Sequence, residues 1–109
     1  METKEKKDLI TFIVQRKDGQ RAIDTALKAG ATGVTYFYAQ GTGVRQRLGL
    51  MGLFIEAEKQ VIMVVTPATE TDKILTAVAN EIGFHEPGRG FAYVQSVDRV
   101  IGFYQDRKA

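Results

Sequence analysis

Two segments of this chain carry apolar residues at helical spacing, and each follows a run rich in β-branched residues. The first segment has its apolar residues at i, i+1, i+4 and i+5, which are Ala22, Ile23, Ala26 and Leu27. The second repeats that spacing and extends it to i+8, with Ile74, Leu75, Val78, Ala79 and Ile82. Each segment therefore predicts a helix with one apolar face, which must be buried against another layer.

Residues that favour helix ends flank both segments. Asp18 precedes the first segment and is a predicted N-cap, because its carboxylate can accept backbone N–H groups of the next turn. Thr69 or Thr71 is the corresponding candidate for the second. Gly30 and Gly83 follow the two segments, where a left-handed residue commonly ends a helix.

The remaining regular segments are rich in Val, Ile, Thr, Phe and Tyr, which favour strands. Strands are predicted at 9–15, 34–39, 53–58 together with 61–66, 91–95, and in a last short piece at 99–104. The third can be one long strand with a break near Lys59 and Gln60. Pro67 ends it, because proline has no N–H for pairing.

The resulting order, β-α-β-β-α-β, predicts an α+β, ferredoxin-like fold: a four-stranded antiparallel sheet with two helices on one face. Residues such as Tyr36, Tyr38 and Met63 are expected on the other face, which must then be covered. Residues 1–8 are polar and predict a flexible tail. Residues 9–105 form the single predicted domain, as the length of 109 residues allows.

Composition excludes several classes of function. The chain has no cysteine and a single histidine, His85, so disulfides, thiolate chemistry and paired-histidine metal sites are excluded. Fifteen Lys and Arg against 13 Asp and Glu are mixed along the chain, which does not indicate nucleic-acid binding. The longest apolar run, 61–65, is too short to span a membrane. The polar residues 1–8 offer no apolar core for a signal peptide, so a cytoplasmic protein is expected.

No residue set indicates catalysis, so we do not expect an enzyme. The chain has no G-x-S-x-G elbow, and its carboxylates show no pairing across a cleft. His85 stands in a polar loop, where exposure is more common than a catalytic role. The apolar loop at 48–54 fits two interpretations: it covers a neighbouring subunit or partner, or it is a strand that starts early.

Two glycine-containing turns are candidate anion sites. Gly41 and Gly43 follow a strand and precede Arg45 and Arg47; the alternative interpretation is a mobile hairpin connection. The second turn is the Gly-Arg-Gly sequence at 88–90, for which the alternative is a tight turn with a solvated arginine. Neither has the G-K-[ST] sequence of a phosphate-binding P-loop.

The order and spacing of these motifs resemble the P-II signalling proteins. Gly33-Val-Thr35, followed after five residues by Gly41-x-Gly43, resembles the end of the family's second strand and the base of its T-loop. The sequence from 88 to 94 resembles the B-loop and the fourth strand, and 97–101 resembles the C-terminal segment. The intervening loop is about five residues shorter than in the family.

This resemblance implies a homotrimer with sheets facing inward and adenine nucleotides bound between subunits. The T-loop then covers about 41–58 and the B-loop about 84–90. Thr35 is expected at the adenine, Gly41 and Gly43 at the T-loop base, and the B-loop turn at the phosphates. The resemblance implies a set of nucleotide-binding residues, in which Arg45, Arg47 and Arg89 replace phosphate-binding cations of the family that this chain lacks. The full set is Thr35, Gly41, Gly43, Arg45, Arg47, Lys59, Val65, Gly88, Arg89 and Gly90.

Several positions depart from the family pattern. Val44 and Arg45 replace its Arg-Gln pair, and Phe91, Gly102 and Tyr104 stand where it has phosphate-binding cations. Residues 41–58 contain no tyrosine or serine, so the family's modification sites are absent. We therefore expect a P-II-like regulatory protein, divergent from the classical ones.

Its expected effector is ADP, AMP or ATP, with no resident cofactor or metal, and its T-loop is expected to signal to a target protein such as a transporter or an enzyme. The alternative is a trimeric scaffold or metal- or anion-tolerance protein similar to the CutA group.

Overall fold

The computed structural model describes residues 5–41 and 58–103. The strands are β1 (Lys7–Gln15), β2 (Thr35–Gln40), β3 (Glu58–Pro67) and β4 (Gly90–Val97), and the helices are α1 (Gly19–Lys28) and α2 (Thr71–Ile82). The strands pair antiparallel in the order β2-β3-β1-β4. The predicted α+β, ferredoxin-like fold is confirmed.

The core lies between the helices and one face of the sheet. Alternate residues of β1 and β3 are buried there, because successive strand side chains point to opposite faces. The sheet contributes Ile10, Phe12, Val14, Ile62 and Val64, and the helices contribute Ala22, Ile23, Ala26, Ile74, Val78 and Ile82. The helical spacing thus predicted the buried faces, except that Leu27 is 44% exposed near the end of α1.

The glycines predicted to end the two helices are confirmed, whereas the predicted capping hydrogen bonds at the N-termini do not form. Gly30 and Gly83 both have positive φ, at 122° and 82°. Asp18 occupies the N-cap position of α1 as predicted, but its side chain makes no capping hydrogen bond, because a 3-10 turn runs directly into the helix. The prediction of Thr69 or Thr71 is wrong, because a second 3-10 turn leads into α2 and Glu70 is its N-cap. Thr71 Oγ1 instead donates a hydrogen bond of 2.7 Å to Asp8 Oδ2.

The strand register corrects one expectation about the sheet's second face. Residues directly opposite in an antiparallel pair share a face. Tyr36 opposes Ile62 and Tyr38 opposes Gln60, so both tyrosines lie on the helix side of the sheet, although they remain about half exposed. Phe37 opposes Val61 and lies on the other face.

We call that other face the open face. Met63 is on it as predicted, since it opposes Thr11 and Thr35. The register places a continuous group of apolar side chains on the open face: Leu9, Ile13, Phe37, Val61, Met63, Val65, Phe91 and Tyr93. No helix covers this face among the described residues, and Phe37 and Phe91 are 48% and 55% exposed.

The described chain ends differ from the predicted boundaries. Lys7 and Asp8 belong to β1, although the sequence placed them in the tail. The short strand predicted at 99–104 is wrong over its described part: β4 ends at Val97, and only Ile101 makes an isolated bridge. Gly102, with φ of 87°, interrupts an extended conformation there. No described helix has the length and apolar character needed to cross a membrane.

Candidate functional site

Several of the predicted site residues meet at one end of the sheet. β1 ends at Gln15, which opposes Lys59 at the start of β3. Gly90, the first residue of β4, opposes Val14. Gly41 directly follows β2, whose Ala39 also opposes Lys59. The base of the predicted T-loop and the predicted B-loop therefore flank the same end of β1.

The B-loop turn requires its glycines. Gly88 has φ of 79° and Gly90 has φ of 143°, both in the region that disfavours a side chain. A Cβ at Gly90 would lie 2.6 Å from the carbonyl oxygen of Ile13. The turn is closed by hydrogen bonds from Glu86 N to Gly83 O, at 2.9 Å, and from Arg89 N to Glu86 O, at 3.4 Å. The loop thus packs directly against the backbone of β1.

Gln15, which was not predicted as a site residue, supports the B-loop through a hydrogen bond. Its side chain is 3% exposed, and its Nε2 donates a 2.7 Å hydrogen bond to Gly88 O. Its Oε1 is buried and has no hydrogen-bond donor among the described residues. A glutamine at the end of the largely apolar run 9–14 was the available signal, because a buried amide normally needs partners.

Arg89 stands between the two B-loop glycines and is held by an acidic neighbour. Its Nη1 lies 3.1 Å from Glu86 Oε1, in a pair three residues apart. The Arg89 side chain is 36% exposed, and its Nε is buried without an acceptor in the described part of the chain. A guanidinium has five N–H donors, so donors besides the one directed at Glu86 remain for an incoming anion.

The base of the T-loop is fixed by contacts on both sides of the sheet. On the open face, the side chain of Lys59 passes close to Gly41, whose ideal Cβ position is 3.6 Å from Lys59 Cγ. On the helix side, Arg16 Nη1 lies 3.1 Å from Glu58 Oε1, and its guanidinium lies 4.6 Å from the ring centroid of Tyr38. Arg16 was not predicted as a site residue, because its contacts with Tyr38 of β2 and Glu58 of β3 arise only in the tertiary structure.

The remaining predicted site residues lie elsewhere. Thr35 starts β2 and opposes Met63, while Val65 opposes Leu9 near the far end of β3. Thr35 is five residues from Gln40, or roughly 17 Å at about 3.3 Å per residue. One chain therefore does not bring Thr35 and Val65 to the B-loop. Gly43, Arg45 and Arg47 lie outside the described residues.

The site carries cationic and apolar groups but no metal-binding cluster in the described ranges. Within 5–41 and 58–103, no three His, Cys, Asp or Glu side chains are placed to hold a metal ion. Lys59 and Arg89 supply positive charge, while Phe91 opposes Ile13 on the open face and adds none. This arrangement suits an organic anion with an apolar part better than a bare cation.

Comparison with known proteins gives a family match and several structural neighbours. The sequence model of the nitrogen regulatory protein P-II family matches residues 7–107. A search of curated proteins gave no significant match. A PII-like signalling protein from Thermus thermophilus superposes with a TM-score of 0.65 at 18% identity, over 89% of this chain and 90% of that one.

Two further structures share the fold. The B. subtilis GlnK–ATP complex gives a TM-score of 0.69 at 17% identity, covering 88% of this chain and 85% of that one. The CPII protein of Thiomonas intermedia K12, bound to ADP and bicarbonate, gives 0.67 at 18% identity, covering 92% and 91%. At such identities the superpositions show a common fold.

Proposed function

This chain belongs to the nitrogen regulatory protein P-II family, and from that membership we propose that it binds an adenine nucleotide between subunits and signals to a target protein through its T-loop. One observation carries the proposal. The Gly-Arg-Gly turn, Lys59 and Gly41 converge at a single end of the sheet. Backbone N–H groups of such a turn and the nearby cations are suitable donors for phosphate oxygens.

The proposed assembly is a homotrimer in the cytoplasm. The open face presents large apolar side chains at substantial exposure, which is unusual for the surface of a monomer. Closed cyclic symmetry covers such a face without leaving an unsatisfied surface. Within one chain, Thr35 and Val65 are far from the B-loop. In the proposed trimer, Thr35 and Val65 of one copy can face the B-loop of another.

The proposed ligand is ADP or AMP in preference to magnesium-bound ATP. Two of the structural neighbours were solved with ATP or ADP, which supports an adenine nucleotide as the ligand class. In this chain Phe91, Gly102 and Tyr104 occupy positions where the family has cations. Fewer cations stabilise fewer phosphates, so a shorter phosphate chain fits the charges that remain.

The proposed signal is a change in T-loop order. Part of the free energy of nucleotide binding at the loop's base offsets the entropy cost of ordering the loop. The loop's conformation therefore depends on whether nucleotide occupies the site. The target, a transporter or an enzyme, would read that conformation. In this proposal the protein is a regulator, not an enzyme, and the nucleotide is its effector, with no resident cofactor.

A second candidate is supported by Phe91. An apolar ring, 55% exposed, stands where a phosphate-binding lysine is expected from the family pattern. This favours a trimeric scaffold or metal- or anion-tolerance protein like the CutA group, with no nucleotide signalling.

Isothermal titration with ATP, ADP, AMP and cyclic nucleotides distinguishes the two candidates. Saturable heat with ADP or AMP, or nucleotide released from the purified trimer on denaturation, is the result we expect. A trimer that is purified empty and gives no heat with any nucleotide at millimolar concentration supports the scaffold and contradicts the nucleotide proposal.

A further inference from the structure

We propose that Glu86 is a specificity-determining residue, which competes with ligand phosphates for Arg89 and so favours ligands with fewer phosphate groups. The inference rests on the proposed function, because it assigns phosphate to the Arg89 side of the B-loop. Glu86 is not among the nucleotide-binding residues that the resemblance to the family implies.

The turn itself fixes Glu86 beside Arg89. The backbone of Glu86 donates to Gly83 O and accepts from Arg89 N, so both residues belong to one closed turn. Their side chains meet with Arg89 Nη1 3.1 Å from Glu86 Oε1. The contact therefore does not depend on a distant element, because both side chains extend from the same turn.

The other group facing Glu86 does not hold it away from Arg89. His85 Nε2 lies 4.0 Å from Glu86 Oε2, and the histidine side chain is 80% exposed. Glu86 itself is 54% exposed. An ion pair between exposed groups is weak, so an incoming anion can displace the carboxylate from the guanidinium.

Displacement does not remove the negative charge from the site. A phosphate that takes the Nη1 donor still has the carboxylate close by, because the turn anchors both backbones. Coulomb's law at a dielectric constant of about 40–80 gives about a 4- to 15-fold change in affinity for one unit charge about 5 Å away. Since repulsion grows with ligand charge, Glu86 lowers the affinity for ATP more than that for AMP.

The test variant is Glu86→Gln, which keeps the size and hydrogen-bonding capacity of the side chain and removes its charge. Titrations use AMP, ADP, ATP and inorganic tripolyphosphate. We expect ATP and tripolyphosphate to bind about 10-fold more tightly than to the wild type, and AMP, which carries fewer charges, to gain less than either. The gain should shrink at high salt, because exposed charges are screened.

Glu70→Gln is the matched control. Glu70 also forms an ion pair with a residue three positions later, Lys73, at 3.7 Å, and it lies at the opposite end of α2. This variant makes the same change in net charge and should leave every affinity unchanged. Circular dichroism establishes that both variants are folded.

The measured affinities distinguish the role of Glu86 from the proposed nucleotide binding. An unchanged ATP affinity in Glu86→Gln overturns the proposal, and a weaker one shows that Glu86 positions Arg89 for binding instead of competing. Tighter tripolyphosphate binding with no nucleotide binding contradicts the nucleotide assignment but keeps the role of Glu86. Failure of both variants to bind any of the four anions overturns both proposals.

Discussion

The side-chain amide of Gln15 donates a 2.7 Å hydrogen bond to the backbone carbonyl of Gly88, across 73 residues of sequence. The next residue, Arg16, forms an ion pair with Glu58 and lies over the ring of Tyr38. The end of β1 thus contacts the B-loop through one residue and the base of the T-loop through its neighbour. The two loops on which the proposed function depends share one structural support.

Replacing Gln15 with methionine tests that support. Gln15→Met removes the donor to Gly88 O but also removes the buried, unpaired Oε1, so the free energy of unfolding should fall by only about 1 kcal/mol or less. The B-loop should be affected more: backbone amides at 89 and 90 should exchange with solvent faster, as measured by hydrogen–deuterium exchange. Unaltered exchange in the folded variant would show that Gln15 does not hold the loop.

Gly90→Ala should be strongly destabilising. The new Cβ meets the Ile13 carbonyl oxygen at 2.6 Å, and φ of 143° is strained for any side chain. We expect a loss of about 2 kcal/mol or more in urea denaturation. Gly33→Ala is the control, because Gly33 has no neighbour within 4 Å of the Cβ position and no positive φ. Equal stability of the two variants would contradict the turn geometry.

Arg89→Ala should weaken nucleotide binding by about 1.5–3 kcal/mol, the usual range for a hydrogen bond to a charged group. The reason is that its partly exposed guanidinium has donors beyond the one paired with Glu86, and it stands in the turn assigned to the phosphates. Titration calorimetry measures the change. Lys73→Ala, which removes an exposed cation at the far end of α2, should have no effect. Equal affinities of Arg89→Ala and wild type would exclude Arg89 as a ligand.

The proposed trimer has a mass of about 36 kDa, three times the 12.1 kDa chain, and light scattering should detect it. Phe37→Asp should shift the mass toward that of a single chain, because it places a charge on the open face. Tyr36→Asp should not, although the neighbouring side chain is almost equally exposed, because it lies on the helix side of the sheet. A wild-type monomer at micromolar concentration would contradict the trimer.

We expect no binding of 2-oxoglutarate, with or without ATP and magnesium. In classical family members a T-loop glutamine helps hold magnesium and 2-oxoglutarate, and Arg45 stands at that position here. A guanidinium has no free lone pair to coordinate a cation and remains positively charged. Titration of 2-oxoglutarate into the protein saturated with magnesium and ATP measures this directly. Saturable binding in the micromolar range would restore the classical mode of ligand binding.

The sequence by itself determined the two helices of this fold and the order in which they alternate with the four main strands. The spacing of residues such as Ile74 and Val78 is a local property of the helix, so the buried faces could be predicted without knowing what they pack against. The positive φ at Gly30 and Gly83 followed from local chemistry in the same way. The order and spacing of short motifs were sufficient to indicate the family.

Only the tertiary structure decided which face each strand residue occupies and which residues support the site. Tyr36 and Tyr38 alternate with Phe37, and strand alternation alone does not say which set faces the helices; pairing with Ile62 and Gln60 settles it. Gln15 is marked in the sequence only as a polar residue at the end of a largely apolar run, and Arg16 is marked by no local pattern. Their partners lie 73 and 42 residues away in the chain, so their roles arise only when β1, β3 and the B-loop are brought together.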